Sequence, residues 1–155
     1  MKIQWKKLLV CVVIPLAVGG IAALLTMNSM ETFDKINKPP LSPPGWLFPI
    51  VWTILYTLMG IASYIVLVSK KKSRAQTALT VYGIQLAFNF MWTLIFFNTG
   101  VYWFAFVWLV ALWILVLVTA LLFYRISAAA GYLMVPYVLW VTFAAYLNFA
   151  IALLN

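Results

Sequence analysis

Aromatic and amide side chains recur at helical spacing in three apolar stretches of the chain. Steps of three and four residues place side chains on one face of a helix. Rings on such a face can stack against a flat, hydrophobic molecule, while a few amides fix its orientation by hydrogen bonds. The three sets are, in chain order, Trp52, Tyr56, Met59 and Ser63; Gln85, Asn89, Trp92 and Phe96; and Tyr137, Trp140, Ala144 and Asn148, with Phe143 and Leu147 beside the last set.

Two of the amides, those of Gln85 and Asn89, lie about midway along their apolar stretch. An unpaired amide in hydrocarbon costs several kcal/mol, so both must face protein, water or a ligand. Each set alone is also typical of aromatic residues at membrane interfaces and of hydrogen bonds between neighbouring helices. The three sets together favour a ligand cavity, in which the small side chains of Ala144 and Ala145 leave room.

Acid–base and metal chemistry have few candidate residues in this chain. It has no histidine and a single cysteine, Cys11, which removes the commonest metal ligand and any cysteine pair. Both carboxylates, Glu31 and Asp34, fall in one connection, where a charged loop is more often solvated than catalytic. The apolar stretches hold no Asp, Glu, Lys or Arg in their interior, which argues against proton-coupled transport. We expect no metal and no resident cofactor.

The elements that must position these residues are membrane spans. The chain is 67% hydrophobic and 8% charged, which is more apolar surface than one water-soluble domain can bury. A bilayer core of about 30 Å needs about 20 apolar residues per helix. Five runs meet this need, near residues 6–27, 45–69, 76–97, 101–124 and 128–154. They predict an all-α integral membrane protein, a single domain over residues 1–155 formed by a bundle of five transmembrane helices.

The first run also has the lysine flank of a signal peptide. It is longer than the apolar region of a signal peptide and ends without a clear small-residue cleavage site, so we interpret it as the first span.

Most cationic residues fall at one end of the predicted bundle. That end holds Lys2, Lys6, Lys7, Lys70, Lys71, Lys72, Arg74 and Arg125. The positive-inside rule therefore predicts a cytoplasmic N-terminus and a C-terminus outside. The KKKSR segment could contact RNA, but beside membrane spans anionic lipid headgroups are the more favourable partner. We expect membrane lipid, and no nucleic acid, among the partners.

The connection between the first two spans, residues 28–44, is rich in proline. Four prolines restrict its backbone and reduce the entropy lost when the connection becomes ordered: Pro39, Pro40, Pro43 and Pro44. We predict that this stiff segment is a lid over the pocket. It runs into the second span, where Pro49 is tolerated because the first N–H groups of a helix have no intrahelical acceptor.

Two pairs of small residues are spaced four apart, Gly19 with Ala23 and Gly83 with Ala87. This spacing lets helix backbones approach closely in lipid. Either pair fits a dimer contact or packing within one bundle.

Three sequence blocks resemble those of the translocator protein family, also called tryptophan-rich sensory proteins or peripheral-type benzodiazepine receptors. The blocks are KPPLSPPGWLFPIVWTILYTLMGIASY at 38–64, QLAFNFMWTLIFF at 85–97 and PYVLWVTFAAYLN at 136–148. The resemblance is to bacterial members in particular. It implies five transmembrane helices, often in a homodimer, and a first loop that covers a pocket near one membrane face.

The resemblance also implies ligands: porphyrins and related tetrapyrroles, and synthetic isoquinoline carboxamides and benzodiazepines. Together with the spacing, it gives a candidate ligand-binding set of Trp52, Tyr56, Gln85, Phe88, Asn89, Trp92, Trp140, Phe143, Ala144 and Leu147. In bacterial relatives, tryptophans that match Trp52 and Trp140 are implicated in light-dependent porphyrin breakdown, so these two are the candidate catalytic residues if this chain degrades porphyrin.

The chain departs from the family pattern in two places. Family members often carry a Trp-Tyr pair shortly before the Lys-Pro of the loop, whereas this chain has Thr32 and Phe33. The cholesterol motif of animal members needs a basic residue after Tyr146, and none follows. We therefore do not expect cholesterol binding.

Three functions follow from these observations. The leading hypothesis is a membrane receptor or sensor that binds a tetrapyrrole between the second, third and fifth spans. The alternatives are a light-dependent porphyrin-degrading enzyme, which needs no acid–base residues, and a transporter of a lipophilic ligand.

Overall fold

Each of the five apolar runs folds into one long helix, which confirms the predicted all-α fold with five membrane-spanning helices. The computed structural model describes residues 2–155, and no strand occurs among them. The long helices are α1 (Trp5–Thr26), α3 (Leu47–Leu67), α4 (Lys72–Leu94), α5 (Tyr102–Ile126) and α6 (Ala128–Leu154), and a short helix α2 (Met30–Lys35) follows α1. Their length and apolar composition make this an integral membrane protein.

The connection predicted as a loop over residues 28–44 is partly helical. A short 3₁₀ turn, Met27–Ser29, joins α1 to α2, so the backbone stays helical up to Lys35. No proline occurs between Pro15, inside α1, and Pro39, so no proline interrupts the helical backbone over residues 27–35. The non-helical part is therefore residues 36–46, which we call the proline segment.

The other connections are short. Four residues join α3 to α4, and Ser127 alone separates α5 from α6. A π-helical turn, Ile95–Thr99, extends α4, and Gly100 then ends it with a left-handed backbone (φ +66°), a conformation that glycine adopts at little cost.

Hydrogen bonds between distant residues define the two ends of the bundle. At one end, the Gln4 N–H donates to the Tyr64 hydroxyl at 2.9 Å, which pairs the start of α1 with the end of α3. There too, Lys71 Nζ donates to the Arg125 carbonyl at 3.1 Å. We call this the basic end. At the opposite end, the proline segment meets the end of α6, where Asn155 Nδ2 donates to the Asn37 carbonyl at 2.8 Å. We call this the loop end.

Helix α1 packs against α3 through two glycines. A Cβ on Gly60 would lie 2.7 Å from the Cys11 carbonyl oxygen, and a Cβ on Gly19 would overlap the Tyr56 ring. The Gly19 position is therefore a packing contact within the bundle. Gly83 differs, because nothing lies within 4 Å of a Cβ placed there and its face of α4 is exposed.

Candidate functional site

A cavity of about 410 Å³ opens at the loop end of the bundle, among α1, α3, α4, α6 and the residues that follow α1. This volume is in the range of pockets that hold drug-sized ligands, about 300–1,000 Å³. Its lining is Leu16, Gly19, Gly20, Ala22, Ala23, Thr26, Met27, Met30, Phe33, Gly45, Phe48, Pro49, Trp52, Thr53, Tyr56, Trp92, Thr93, Phe96, Phe97, Trp140, Ala144, Leu147, Asn148 and Ile151. None of these carries a formal charge, so the cavity favours a hydrophobic ligand.

Two indole rings meet at a right angle in the cavity wall. Trp52 on α3 and Trp140 on α6 lie 6.5 Å apart between ring centroids, with an interplanar angle of 90°. Trp52 also stacks on Tyr56, one helical turn along α3, at 5.4 Å and 28°. Phe48 packs edge-on against Trp140 at 6.0 Å. The wall thus offers aromatic faces in two directions, which suits a flat ligand held at its face and its edge.

A third tryptophan in the lining has a structural partner. Trp92 Nε1 donates a 3.1 Å hydrogen bond to Asn148 Oδ1. Asn148 Nδ2 in turn donates to the Tyr102 carbonyl at 2.9 Å, so this pair ties α4 to α6 and to the start of α5. The Trp92 indole N–H is therefore occupied within the protein.

Unlike that of Trp92, the indole N–H groups of Trp52 and Trp140 have no hydrogen-bond partner within residues 2–155. The hydrogen bonds within residues 2–155 engage the indole nitrogens of other tryptophans, but neither of these two. The threonine hydroxyls in the lining donate to carbonyls of their own helices: Thr26 to Ala22, Thr53 to Pro49 and Thr93 to Asn89. Within residues 2–155, the indole N–H groups of Trp52 and Trp140 are consequently the aromatic donors of the cavity wall that remain available to a ligand.

The two mid-span amides lie behind the cavity, in a buried chain of hydrogen bonds. The Tyr56 hydroxyl donates to Asn89 Oδ1 at 3.0 Å, and Asn89 Nδ2 donates to the Tyr137 oxygen at 2.7 Å. The Tyr137 hydroxyl donates to Gln85 Oε1 at 2.8 Å. Of these four residues only Tyr56 lines the cavity. Both amides face protein, which satisfies most of their hydrogen-bonding groups; Gln85 Nε2 has no protein partner among the described residues.

The structure brings six of the ten sequence-predicted residues into the lining: Trp52, Tyr56, Trp92, Trp140, Ala144 and Leu147. Gln85 and Asn89 lie in the hydrogen-bond chain behind it. Phe88 stacks on Trp108 of α5 at 4.5 Å and 18°, on the other side of α4. Phe143 lies outside the lining and packs against Trp140 at 5.5 Å.

Helix α1 supplies a wall that the sequence sets did not include. Its lining residues are mostly small: Leu16, Gly19, Gly20, Ala22, Ala23 and Thr26. The spacing of Gly19 and Ala23 indicated close helix packing, but no aromatic or polar side chain on α1 indicated a ligand site.

Three residues of the segment after α1, Met27, Met30 and Phe33, line the loop end of the cavity. Phe33 is 6% exposed and packs against Phe48, Phe96 and Phe97 at centroid distances of 6.1, 6.1 and 5.3 Å. The Tyr146 hydroxyl donates to the Pro40 carbonyl at 3.0 Å. Asn155 makes a further pair of hydrogen bonds with the Asn37 backbone, at 3.1 and 2.8 Å. The proline segment is therefore attached to α6 and its C-cap residue at two points, Asn37 and Pro40.

Comparison with known proteins identifies the family. A family model described as the TspO/MBR family matches residues 11–154. The chain is 40% identical over 150 residues to the tryptophan-rich protein TspO of Chlorobaculum tepidum, covering 96% of this chain and 95% of that one. It is 40% identical over 125 residues to the tryptophan-rich sensory protein of Cereibacter sphaeroides (81% and 77% covered), and 33% identical over 126 residues to the Homo sapiens translocator protein (80% and 75% covered). The resemblance stated from the sequence blocks is confirmed, and the chain belongs to the TspO/MBR family.

Proposed function

We propose that this protein is a membrane receptor or sensor that binds a porphyrin or related tetrapyrrole in the loop-end cavity. The observation that carries the proposal is the right-angled pair of indoles, Trp52 and Trp140, in an uncharged cavity of about 410 Å³. A planar macrocycle has a large apolar face for one ring and an edge for the other. Synthetic isoquinoline carboxamide or benzodiazepine ligands offer smaller fused rings to the same wall.

The unpaired indole N–H groups in the cavity wall further limit the range of ligands that would bind. The N–H groups of Trp52 and Trp140 have no partner within the described residues, so a ligand gains most if it presents hydrogen-bond acceptors to them. The carboxyl oxygens of porphyrin side chains and the carbonyl of a carboxamide are such acceptors. The ligand therefore combines a flat apolar body with acceptor groups.

The test is a titration of protoporphyrin into the purified protein in the dark, followed by the porphyrin absorbance. Because Trp52→Phe with Trp140→Phe removes both donors and shrinks both rings, we expect at least about tenfold weaker binding, or about 1.4 kcal/mol. The matched control is Trp103→Phe with Trp113→Phe, two tryptophans of α5 outside the cavity lining. Equal affinity in the two double variants would remove the support for this pocket.

A second candidate function is light-dependent porphyrin degradation. The feature that favours it is the presence of two oxidisable indoles side by side in the cavity wall. In this reaction the bound porphyrin absorbs the light and molecular oxygen is the oxidant, so no acid–base residue is required. Protein-dependent loss of porphyrin in light, absent from the Trp52→Phe and Trp140→Phe variant at saturating porphyrin, would support it. Loss at the rate of free porphyrin in detergent would leave only the receptor.

The orientation and assembly of the protein are also proposed. The basic end carries eight cationic side chains and neither carboxylate, which favours a cytoplasmic basic end and N-terminus, with the C-terminus outside. Labelling Lys70→Cys and Lys38→Cys in a Cys11→Ser background from each side of sealed vesicles tests this topology.

The open face around Gly83 and Ala87 supports a homodimer through α4. Because a large side chain would block the close approach of two helices, Gly83→Leu should convert a dimer to monomers in size-exclusion chromatography with light scattering.

A further inference from the structure

A second concave surface lies at the basic end, far from the loop-end cavity. It is an open groove of about 500 Å³ between the first turns of α4 and the last turns of α5. Six residues line it: Ser73, Arg74 and Thr77 from α4, and Leu122, Arg125 and Ile126 from α5. Two guanidinium groups from different helices thus share one groove with two hydroxyls and two aliphatic side chains.

The charge of this groove is not balanced by the protein. The chain has two carboxylates, Glu31 and Asp34, and both follow α1 at the loop end. Arg74 and Arg125 therefore have no acidic side chain near them. Lys70 and Lys72 lie at the same end of the bundle but outside the groove lining. An external anion must supply the counter-charge, and it gains from both arginines at once.

Lys71 connects the two helices that form the groove by hydrogen bonds. Its ammonium donates to the carbonyl oxygens of Arg125 and Ile126 at 3.1 and 3.4 Å. These carbonyls end α5, where a cation compensates the negative pole of the helix. Lys71 Nζ therefore pairs with these end carbonyls, and neither guanidinium makes a hydrogen bond within residues 2–155, so Arg74 and Arg125 stay available to a ligand.

The start of α4 adds a second favourable contribution for an anion. This helix of 23 residues has no acidic residue in its first turn and no side chain that caps it. Its positive pole is consequently uncompensated, and Ser73 in the first turn lines the groove. An anion in the groove would contact a helix N-terminus, a hydroxyl and two guanidinium groups.

The position of the groove along the two helices indicates what kind of anion binds there. Arg74 and Arg125 lie within the terminal turns of α4 and α5, where membrane-spanning helices pass the headgroup region. Leu122 lies one helical turn deeper than Ile126, toward the hydrocarbon. The groove therefore continues from a cationic mouth to an apolar wall, which matches a molecule with a phosphate at one end and an acyl chain at the other.

We propose that this groove binds the phosphodiester of an anionic glycerophospholipid. The guanidinium forks of Arg74 and Arg125 hold the phosphate oxygens, the Ser73 hydroxyl donates to the same group, and the proximal acyl chain lies along Leu122 and Ile126. A zwitterionic lipid presents the same phosphate beside a cationic choline, which the two arginines repel. The site thereby selects lipids with a net negative headgroup.

The experiment is native mass spectrometry of the purified protein with phosphatidylglycerol or phosphatidylcholine added in a neutral detergent. The variant is Arg74→Gln with Arg125→Gln. The matched control, Lys70→Gln with Lys72→Gln, removes the same charge from the same end but outside the groove lining. All four side chains are exposed, and thermal unfolding checks that each double variant remains folded.

We expect one phosphatidylglycerol to bind tightly to the wild type, about tenfold more weakly to the arginine variant, and with little change to the lysine control. Equal weakening in both variants would overturn the proposal in favour of a diffuse charge effect, as would equal binding of phosphatidylcholine to the wild type. Glycerol 3-phosphate and inorganic phosphate are added as competitors. Displacement of the lipid by either at micromolar concentration would assign the groove to a soluble phosphate instead, whereas displacement only at far higher concentration supports the lipid.

Discussion

The Tyr137 hydroxyl donates a 2.8 Å hydrogen bond to the side-chain carbonyl of Gln85, at a depth where Gln85 is fully buried. The same tyrosine oxygen accepts a bond from Asn89 at 2.7 Å, so one phenol joins two amides of α4 to α6. Tyr137 lies behind Tyr56, which lines the cavity. This side of the cavity is therefore held by hydrogen bonds as well as by packing.

Replacement of this phenol should therefore destabilise the bundle. Tyr137→Phe leaves the Gln85 carbonyl and one Asn89 N–H unpaired in a buried site, which costs about 1–3 kcal/mol. The free energy of unfolding in mixed micelles measures this loss. Tyr132→Phe is the control, because Tyr132 is 64% exposed and makes no side-chain hydrogen bond among the described residues. An equal change in the two variants would contradict a structural role for the buried chain.

Alanine substitutions at three glycines should change the melting temperature by different amounts. Gly60→Ala places a methyl group against the α1 backbone at Cys11 and Val12, so α1 and α3 must separate. Gly19→Ala places one against the Tyr56 ring, while Gly20→Ala meets nothing within 4 Å.

Overpacking costs about 1–3 kcal/mol, and an unhindered alanine in a helix gains up to about 1 kcal/mol over glycine. The melting temperature should therefore fall most for Gly60→Ala, less for Gly19→Ala, and not at all for Gly20→Ala. A different order would mean that α1 packs against α3 in another way.

Filling the cavity from α6 should block ligand binding. Ala144 lines the cavity next to the indoles, and its small side chain leaves part of the volume free. Ala144→Phe should weaken porphyrin binding at least about tenfold, because the new ring occupies the space of the ligand. Ala150→Phe lies on the same helix outside the lining and should bind normally in the same titration. Normal binding by Ala144→Phe would place the ligand elsewhere.

The attachment of the proline segment to α6 should control its opening. Asn155→Ala removes both side-chain bonds to the Asn37 backbone, together with the bond from Asn155 Nδ2 to the Ile151 carbonyl in the last turn of α6. Because each such bond contributes about 0.5–1.5 kcal/mol, amide hydrogen exchange over residues 36–46 should accelerate about tenfold. Thr80→Ala, which removes an exposed bond within α4, should leave that exchange unchanged. Unchanged exchange in Asn155→Ala would show that other contacts hold the segment.

The sequence predicted the five spans because each is a continuous apolar run, and it placed Trp52 and Trp140 on faces that do converge. It also required partners for Gln85 and Asn89. It did not identify Tyr137 as the partner, since a tyrosine at helical spacing gives no sign of which helix it meets. The α1 wall was not predicted either, because small side chains that form a cavity leave no chemical pattern in a helix that is apolar on all sides.

The absence of charge in the cavity lining also determines how occupancy should be expressed. A molecule that fits such a site dissolves far better in lipid than in water, so the concentration that fills the site is its mole fraction in the membrane. Apparent dissociation constants calculated from the total ligand per volume of solution will then rise as more lipid or detergent is added, even though the site is unchanged. Affinities of variants are comparable only at one fixed ratio of protein to amphiphile.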